Sequence, residues 1–171
     1  MPELKIDNLF ARRSIRAFTG QPLSDEQITT LLEAAMAAPS ARNSQPWHFV
    51  VIKDPAKRVA LYAGSPREEM ARQASVVIIP CGDPAINPGP PFWVQDMAAA
   101  TENLLIAVAG LGLGAVWCGM YPDEVRMAKA RSILGIPENI MPFCMIPVGY
   151  PAEEKEANTK YQASRVHTNR W

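Results

Sequence analysis

The sequence has little of what metal sites and disulfide frameworks require. Its 171 residues include three cysteines and two histidines. Cys81, Cys118 and Cys144 are odd in number, far apart and each within an apolar run. This pattern indicates three reduced thiols in a cytoplasmic protein rather than a disulfide framework. There is no Cys-x-x-Cys pair, so we expect no metal site.

The sequence also lacks an excess of charge of either sign. Basic and acidic residues both number 17, so the overall charge does not indicate nucleic acid or an acidic membrane as a partner. The apolar stretch at residues 93–118 is interrupted by Asp96, Glu102 and Asn103, which argues against a membrane span. The first residues, Met-Pro-Glu-Leu-Lys, are too polar for a secretory signal. We therefore expect no membrane association.

The composition is that of one ordinary globular domain. Apolar residues make up 48% and charged residues 20%, and the length suffices for one sizeable core. No internal repeat or interdomain linker is visible. We expect a single domain over residues 1–171, of which residues 151–171 form a polar C-terminal tail. The tail ends on Trp171, a large aromatic side chain that gains little in water, so we expect it to dock.

Local signals predict a mixture of helices and strands. Ser24 and Gln27 form a capping box before a helix that Pro39 ends. Residues 47–52 are typical of a buried strand, and Asp54-Pro55 begins the next helix. Further helices are expected at about residues 6–13, 67–73 and 93–111 and after Pro122, and further strands at 76–80, 115–118 and 141–149. Because these elements do not alternate strictly, they predict α+β or three-layer α/β, a sheet with helices on both faces.

Gly110, Gly112 and Gly114 follow the long helix instead of a strand. A dinucleotide-binding glycine loop requires the opposite order, because it leads from a strand into a helix. We therefore expect these glycines to end the helix.

Three arginines and a hydroxyl lie within five residues, Arg12-Arg13-Ser14-Ile15-Arg16. A neutral protein has no general need for such a cationic cluster, so one interpretation is a local anionic target. A guanidinium group matches phosphate oxygens two at a time, and the serine adds a short-range donor. A phosphate monoester fits well, and a solvated basic turn is the alternative.

A second segment, residues 38–49, reads Ala-Pro-Ser-Ala-Arg-Asn-Ser-Gln-Pro-Trp-His-Phe. Together with residues 12–16 it resembles the nitroreductase family of FMN-dependent oxidoreductases, which has an Arg-x-Ser-x-Arg/Lys-x-Phe start and an Asn-x-Gln-Pro-Trp loop. Residues 112–119, Gly-Leu-Gly-Ala-Val-Trp-Cys-Gly, and 165–171, Arg-Val-His-Thr-Asn-Arg-Trp, extend the resemblance over nearly the whole chain. It implies a three-layer α/β/α fold of the α+β class, with a mostly antiparallel sheet around the long helix. It also implies a homodimer with FMN at the interface, where the tail reaches the partner subunit.

The resemblance implies an FMN site assembled from four segments. Arg12, Ser14 and Arg16 would contact the phosphate and ribityl chain, with Lys160 or Arg165 from the tail. Arg13 matches a position that is not strictly basic, so a surface charge is the alternative for it. Residues 39–45 would form the wall of the isoalloxazine ring, whose pyrimidine edge suits side chains that both donate and accept hydrogen bonds. Turn formation is the alternative for Ser40 and Asn43. The backbone N–H of Gly119 would reach flavin N5, and Cys118 replaces a glutamate common in larger members. The expected cofactor-binding residues are Arg12, Arg13, Ser14, Arg16, Pro39, Ser40, Asn43, Gln45, Cys118, Gly119, Lys160 and Arg165.

The activity that the resemblance implies is transfer of a hydride from NAD(P)H to flavin N5. In a second half-reaction, electrons would pass to a small organic acceptor such as a nitroaromatic or a quinone. The cofactor does the chemistry, so no catalytic side chain is expected. Two other classes stay open. One is different flavin chemistry on the same scaffold, either reductive dehalogenation or flavin breakdown, and the other is a non-enzymatic flavin or phosphate-ligand binder.

Overall fold

Six α-helices and six strands occupy the part of the chain that the computed structural model describes, residues 7–156 and 160–171. Two short 3-10 helices, at Ala41–Asn43 and Ala163–Arg165, complete it. The helices are α1 (Asp7–Ala11), α2 (Asp25–Met36), α3 (Pro55–Tyr62), α4 (Glu68–Gln73), α5 (Trp93–Gly110) and α6 (Glu124–Leu134). The strands are β1 (Trp47–Ile52), β2 (Val76–Gly82), β3 (Gly114–Ala115), β4 (Cys118–Gly119), β5 (Met141–Pro142) and β6 (Cys144–Gly149).

The strands form a sheet in the order β1-β2-β6-β3, with β4 also paired to β6 and β5 to β2. All of these strand pairs are antiparallel. The two central strands, β2 and β6, are buried along their whole length, so both faces of the sheet must be covered there. The predicted antiparallel sheet is therefore confirmed.

Helices cover both faces of this sheet. On one face α2 and α5 supply the core, and Met97, Ala100 and Leu104 of α5 have no exposed surface. On the other face the core includes Leu61 of α3, Met70 of α4 and Met127 of α6. The three-layer arrangement around the long helix is thus confirmed. Within the described residues, no helix is long and apolar enough to cross a bilayer.

The local helix signals act as the sequence predicts. The Ser24 hydroxyl accepts from the Gln27 amide at 3.1 Å, and the Gln27 side chain accepts from the Ser24 amide at 2.9 Å. Asp54 caps α3 by accepting from the Ala56 amide at 2.8 Å. These contacts satisfy backbone donors that the first turn of a helix leaves unpaired.

Three predicted elements differ from the structure. The strand expected at 141–149 is divided into β5 and β6, with Phe143 between them. The strand expected at 115–118 is divided into β3 and β4, since residues 116–117 lie between them without strand pairing. The helix expected at 6–13 is described only as Asp7–Ala11, and Leu9 and Phe10 are 51% and 71% exposed. A helix of five residues presents barely one face, and the chain then becomes extended to reach β3. Residue 6, where this helix was expected to begin, lies outside the described residues.

The tail is exposed over all of residues 160–171. Trp171 is 98% exposed, and among the described residues it stacks only on the ring of His167, with 4.4 Å between ring centroids. A tail with so little support from its own chain is consistent with docking elsewhere. The docking of Trp171 therefore stays a prediction.

Candidate functional site

The arginine segment, residues 12–16, lies along β3. Ser14 forms a parallel bridge with Ala115, and the Ile15 amide donates to the Ala115 carbonyl at 2.9 Å. A Cβ atom on Gly114 would lie 2.7 Å from Ile15, so a larger residue there would push the segment away. Gly114 is thus a close-packing glycine and not the helix terminator that the sequence suggested. Gly112, with φ of 69°, adopts the left-handed backbone that ends the helix.

The three arginines have different surroundings. Arg12 pairs with Glu102 of α5 at 3.2 Å and is partly buried. Arg13 donates to the backbone carbonyls of Phe10 at 2.6 Å and Glu156 at 2.9 Å. Arg16 is exposed, and its one side-chain contact among the described residues is a 3.4 Å hydrogen bond to the Ser14 carbonyl. Arg16 is therefore the most accessible of the three to an external anion, since it is exposed and has no ion pair among the described residues.

Two charged residues beside the segment were not predicted. The Lys155 ammonium donates to the Ser14 carbonyl at 2.7 Å. Glu153 accepts from the Arg16 amide, and this hydrogen bond is the main cause of the lowered pKa of the Glu153 carboxyl, with Lys155 also contributing. The only sequence signal for them is a run of charged residues just after the last strand. Lys160 and Arg165, which were expected here, form no hydrogen bond or ion pair with the segment within the described parts of this chain.

Strand β4 pairs with β6, as β3 does, and it presents Gly119 to solvent. Gly119 is paired with Cys144 of β6, and a Cβ atom built on it would meet nothing within 4 Å. The backbone here is open to a ligand. The side chain of Cys118, by contrast, is 3% exposed and lies in the core. Cys118 can therefore offer a ligand on the open side only its backbone, and its contact with the cofactor stays a prediction.

The three thiols are free and buried. Desolvation raises the pKa of Cys81 to about 12 and also raises the pKa of Cys144, although the hydroxyl of Thr101 opposes the second shift. A thiol reacts and binds metals as its thiolate. Cys81 and Cys144 therefore stay protonated near neutral pH and act as core residues.

The amide loop, residues 39–45, has an unusual backbone. Arg42, Asn43 and Gln45 have φ values of 57°, 55° and 49°, a left-handed region that non-glycine residues seldom adopt. The Ser40 hydroxyl accepts from the Gln45 amide at 2.9 Å, and the Gln45 side chain donates to the Asn43 side chain at 3.1 Å. Pro39, Asn43 and Gln45 are exposed, so the loop presents two amide side chains to solvent.

Asp96 of α5 holds this loop from below. It is 5% exposed and accepts from the Ala41 amide at 2.9 Å, with the Ser44 hydroxyl 3.5 Å from its other oxygen. Sequence reasoning noted Asp96 only as an interruption of an apolar stretch. Its signal is a single carboxylate on the buried side of a helix, where an acidic residue needs hydrogen-bond donors.

The amide loop and the arginine segment lie at opposite edges of the sheet of one chain. The loop leads into β1, whereas the segment joins β3, and these strands are at the two ends of the order β1-β2-β6-β3. Three strand spacings of about 4.8 Å separate them by about 14 Å. The structure therefore places the arginine segment on the same side of β6 as β4, with Ala115 opposite Val148 and Gly119 opposite Cys144, and at the other edge of the sheet from the amide loop.

Comparisons with known proteins identify the family of this chain. The family model described as "Nitroreductase family" matches residues 9–73 and 63–150. A protein from Archaeoglobus fulgidus, whose name proposes a NADH dehydrogenase/NAD(P)H nitroreductase, is 44% identical over 95% of this chain and 96% of its own length.

Solved structures give the same result. A protein from Bacteroides thetaiotaomicron with the same proposed name is 41% identical, with a TM-score of 0.91 and 97% of each chain covered. A protein from Desulfovibrio desulfuricans, proposed by name to be a nitroreductase and crystallised in complex with FMN, is 29% identical, with a TM-score of 0.82 and coverage of 100% of this chain and 99% of its own. With a family model that spans most of its length and relatives this similar, the chain belongs to the nitroreductase family.

Proposed function

We propose that this chain is an FMN-dependent oxidoreductase that takes electrons from NAD(P)H and passes them to a small organic acceptor. The observation that carries the proposal is the parallel bridge between Ser14 and Ala115. It places a cationic segment beside the strands that lead to the open backbone of Gly119. The names of the relatives, which refer to NAD(P)H and to FMN, support the same activity.

The residues present fit the phosphate end of FMN. Arg16 has free donors and is exposed, and Lys155, which pairs with Glu153 at 3.3 Å, lies beside it at the Ser14 carbonyl. Hydrogen bonds between charged partners are roughly twice as strong as those between neutral groups. Arg12 is held by Glu102 and Arg13 by carbonyl groups, so we assign them to shaping the site. Arg16 would make the main contact with the phosphate.

The residues also fit the flavin ring. The open backbone of Gly119 would allow the flavin ring to approach closely, and the Gly119 N–H would donate to flavin N5. Bound FMN supplies the two-electron chemistry between a reduced nicotinamide and the acceptor. The protein binds and orients the ring, and no side chain of this chain is needed as an acid or base.

We propose that the working unit is a homodimer with FMN at its interface. The amide loop and the arginine segment lie at opposite edges of the sheet of one chain, more than three strand spacings of about 4.8 Å apart. The exposed tail, with Trp171 at 98% exposure, and the exposed Leu9 and Phe10 provide apolar surface that a second copy would cover. In such a dimer the Asn43 and Gln45 amides of one chain, with Lys160 or Arg165 of the tail, would complete the site of the other.

The test is to purify the protein without added cofactor, record its visible spectrum and then add NADH or NADPH without oxygen. We expect flavin absorption bands that bleach on reduction. The variant Arg16→Ala should purify mostly without flavin, whereas Arg72→Ala, which removes an exposed arginine of α4, should keep it. A colourless wild-type protein that FMN cannot reconstitute would refute the proposal. A flavin that NAD(P)H does not bleach would favour flavin breakdown over electron transfer.

A further inference from the structure

A second cavity lies on the helical face that carries α3, α4 and α6. Its volume is about 190 Å³, and it opens between the end of α3, the start of α4, strand β4 and one side of α6. Sites for whole ligands commonly measure about 300–1,000 Å³. This cavity therefore suits one end of a small molecule. Gly119, the residue with the open backbone, is part of its wall.

The lining of this cavity carries charge of one sign. Arg67, Arg126 and Lys129 line it, and no aspartate or glutamate does. The larger cavity of about 340 Å³ beside the arginine segment is different, because Glu153 and Glu154 line it together with its basic residues. In a chain with 17 basic and 17 acidic residues, a small cavity lined by three cations, of which Arg126 alone has an ion pair among the described residues, is a local concentration of positive charge. We name it the basic cavity.

Two of the three cations are held in place by backbone carbonyls. Arg126 donates to the Gly119 carbonyl at 2.9 Å and pairs with Asp123 at 3.1 Å, while Lys129 donates to the Ala63 carbonyl at 2.9 Å. Arg126 and Lys129 are three positions apart on α6, a spacing that places both side chains on one side of a helix. These contacts use only part of their donor capacity, since arginine has five N–H donors and lysine has three. Arg67 has no side-chain hydrogen bond or ion pair within the described residues.

The wall of the basic cavity also includes Tyr62, whose hydroxyl is buried without a hydrogen-bond partner in the described part of the chain. Burial raises the pKa of this phenol, and the neighbouring Cys118 thiol adds to the shift. The hydroxyl therefore stays protonated and keeps its donor. The hydroxyl is itself closed to solvent, so Tyr62 gives the wall ring surface and no donor, and the donors for a ligand are those of the three cations.

We propose that the basic cavity binds an anionic oxygen group, carboxylate or phosphate, of the molecule that exchanges electrons at Gly119. This proposal rests on the proposed function, because it takes Gly119 as the place where the flavin ring lies. The cavity is too small for a dinucleotide, so only one charged end of the molecule enters. Binding there orients the rest of the molecule toward β4. Anionic acceptors, or the phosphorylated form of the nicotinamide donor, are thus favoured over neutral analogues.

The test compares charged and neutral ligands on matched variants. The double variant Arg67→Gln/Lys129→Gln removes two cations from the cavity, and Lys57→Gln/Arg72→Gln removes two exposed cations from α3 and α4 outside its lining. Calorimetry measures binding of benzoate and benzamide to each flavin-loaded protein. We expect the wild type to prefer benzoate by only about tenfold, because exposed charge pairs contribute modestly. The cavity variant should lose most of this preference, because two of the three cations are removed. The control variant should stay within about twofold of the wild type.

Steady-state kinetics then identify which molecule supplies the anion. If it is the acceptor, the cavity variant raises the KM for 4-nitrobenzoate but not for 4-nitrobenzamide. If it is the donor, the variant raises the KM for NADPH but not for NADH. Either result supports the proposal.

An equal effect of both double variants, or a wild type that binds benzoate no better than benzamide, overturns it. The outcome is separate from that of the proposed function. Should the chain bind no flavin, the calorimetry is repeated on the flavin-free protein, and it still decides whether the cavity binds anions.

Discussion

The carboxylate of Asp96 accepts a hydrogen bond from the backbone amide of Ala41 at 2.9 Å and joins α5 to the amide loop. This contact explains how three residues of the loop keep a left-handed backbone. Such conformations cost about 1–3 kcal/mol each and persist only where the surrounding structure enforces them. Asp96 is buried, and it meets both a backbone donor and the Ser44 hydroxyl of the loop. Asp96 therefore attaches the amide loop to α5.

The variant Asp96→Ala should lower the free energy of unfolding by about 1–3 kcal/mol, because the Ala41 amide loses its partner. We also expect weaker FMN binding, since the loop that carries Asn43 and Gln45 loses its support. Urea unfolding and an FMN titration measure the two effects. The control is Gln95→Ala, the exposed neighbour on the same helix, which should change stability by less than about 0.5 kcal/mol. Equal losses in both variants would show that Asp96 has no special role.

Short-range contacts explain why parts of this fold could be predicted from sequence. The Ser24–Gln27 capping box and the Asp54 cap join residues two or three positions apart. Residues 47–52 form a strand because their apolar side chains are adjacent and bounded by turn residues. Such signals depend only on neighbours along the chain.

Contacts between distant residues could not be predicted in the same way. Asp96 and Ala41 are 55 positions apart, and Lys155 and Ser14 are 141 positions apart. No periodicity or motif specifies such a pair. The division of β3 from β4 likewise depends on how each pairs with β6, and the basic cavity depends on α3 and α6 meeting near β4. The sequence identified the arginine segment and the amide loop, but not the residues that hold them.

Two glycines near the site should respond differently to the same substitution. In Gly119→Ala the new Cβ meets open space, so we expect a normal melting temperature but weaker FMN binding. In Gly114→Ala the Cβ would lie 2.7 Å from Ile15, and overpacking of this kind costs about 1–3 kcal/mol. Thermal unfolding and FMN titration of the two variants test this contrast. An FMN affinity unchanged by Gly119→Ala would remove Gly119 from the proposed site.

Glu153 should make stability depend on pH in the acid range. Its pKa is lowered in the folded protein, chiefly because it accepts from the Arg16 amide, so folding favours the ionised form. The stabilisation is complete above the unfolded value, about 4.3 for glutamate, and is lost as pH falls through the lower folded value. Glu153→Gln should therefore be less stable than wild type at neutral pH, with a difference that vanishes in acid. Urea unfolding across this range measures it, and the exposed Glu154→Gln should show no such trend.

Tyr62 and Tyr150 should differ in what their hydroxyl groups contribute to stability. The Tyr62 hydroxyl is buried and has no partner within the described residues, whereas the Tyr150 hydroxyl lies 3.2 Å from the Gln27 side-chain amide. Removing a hydroxyl without a partner costs no hydrogen bond and relieves its desolvation penalty. We expect Tyr62→Phe to leave the free energy of unfolding unchanged or to raise it by about 1 kcal/mol, and Tyr150→Phe to lower it by about 1 kcal/mol. Urea unfolding of both variants decides the matter, and a marked loss in Tyr62→Phe would mean that its hydroxyl is bonded in the folded protein.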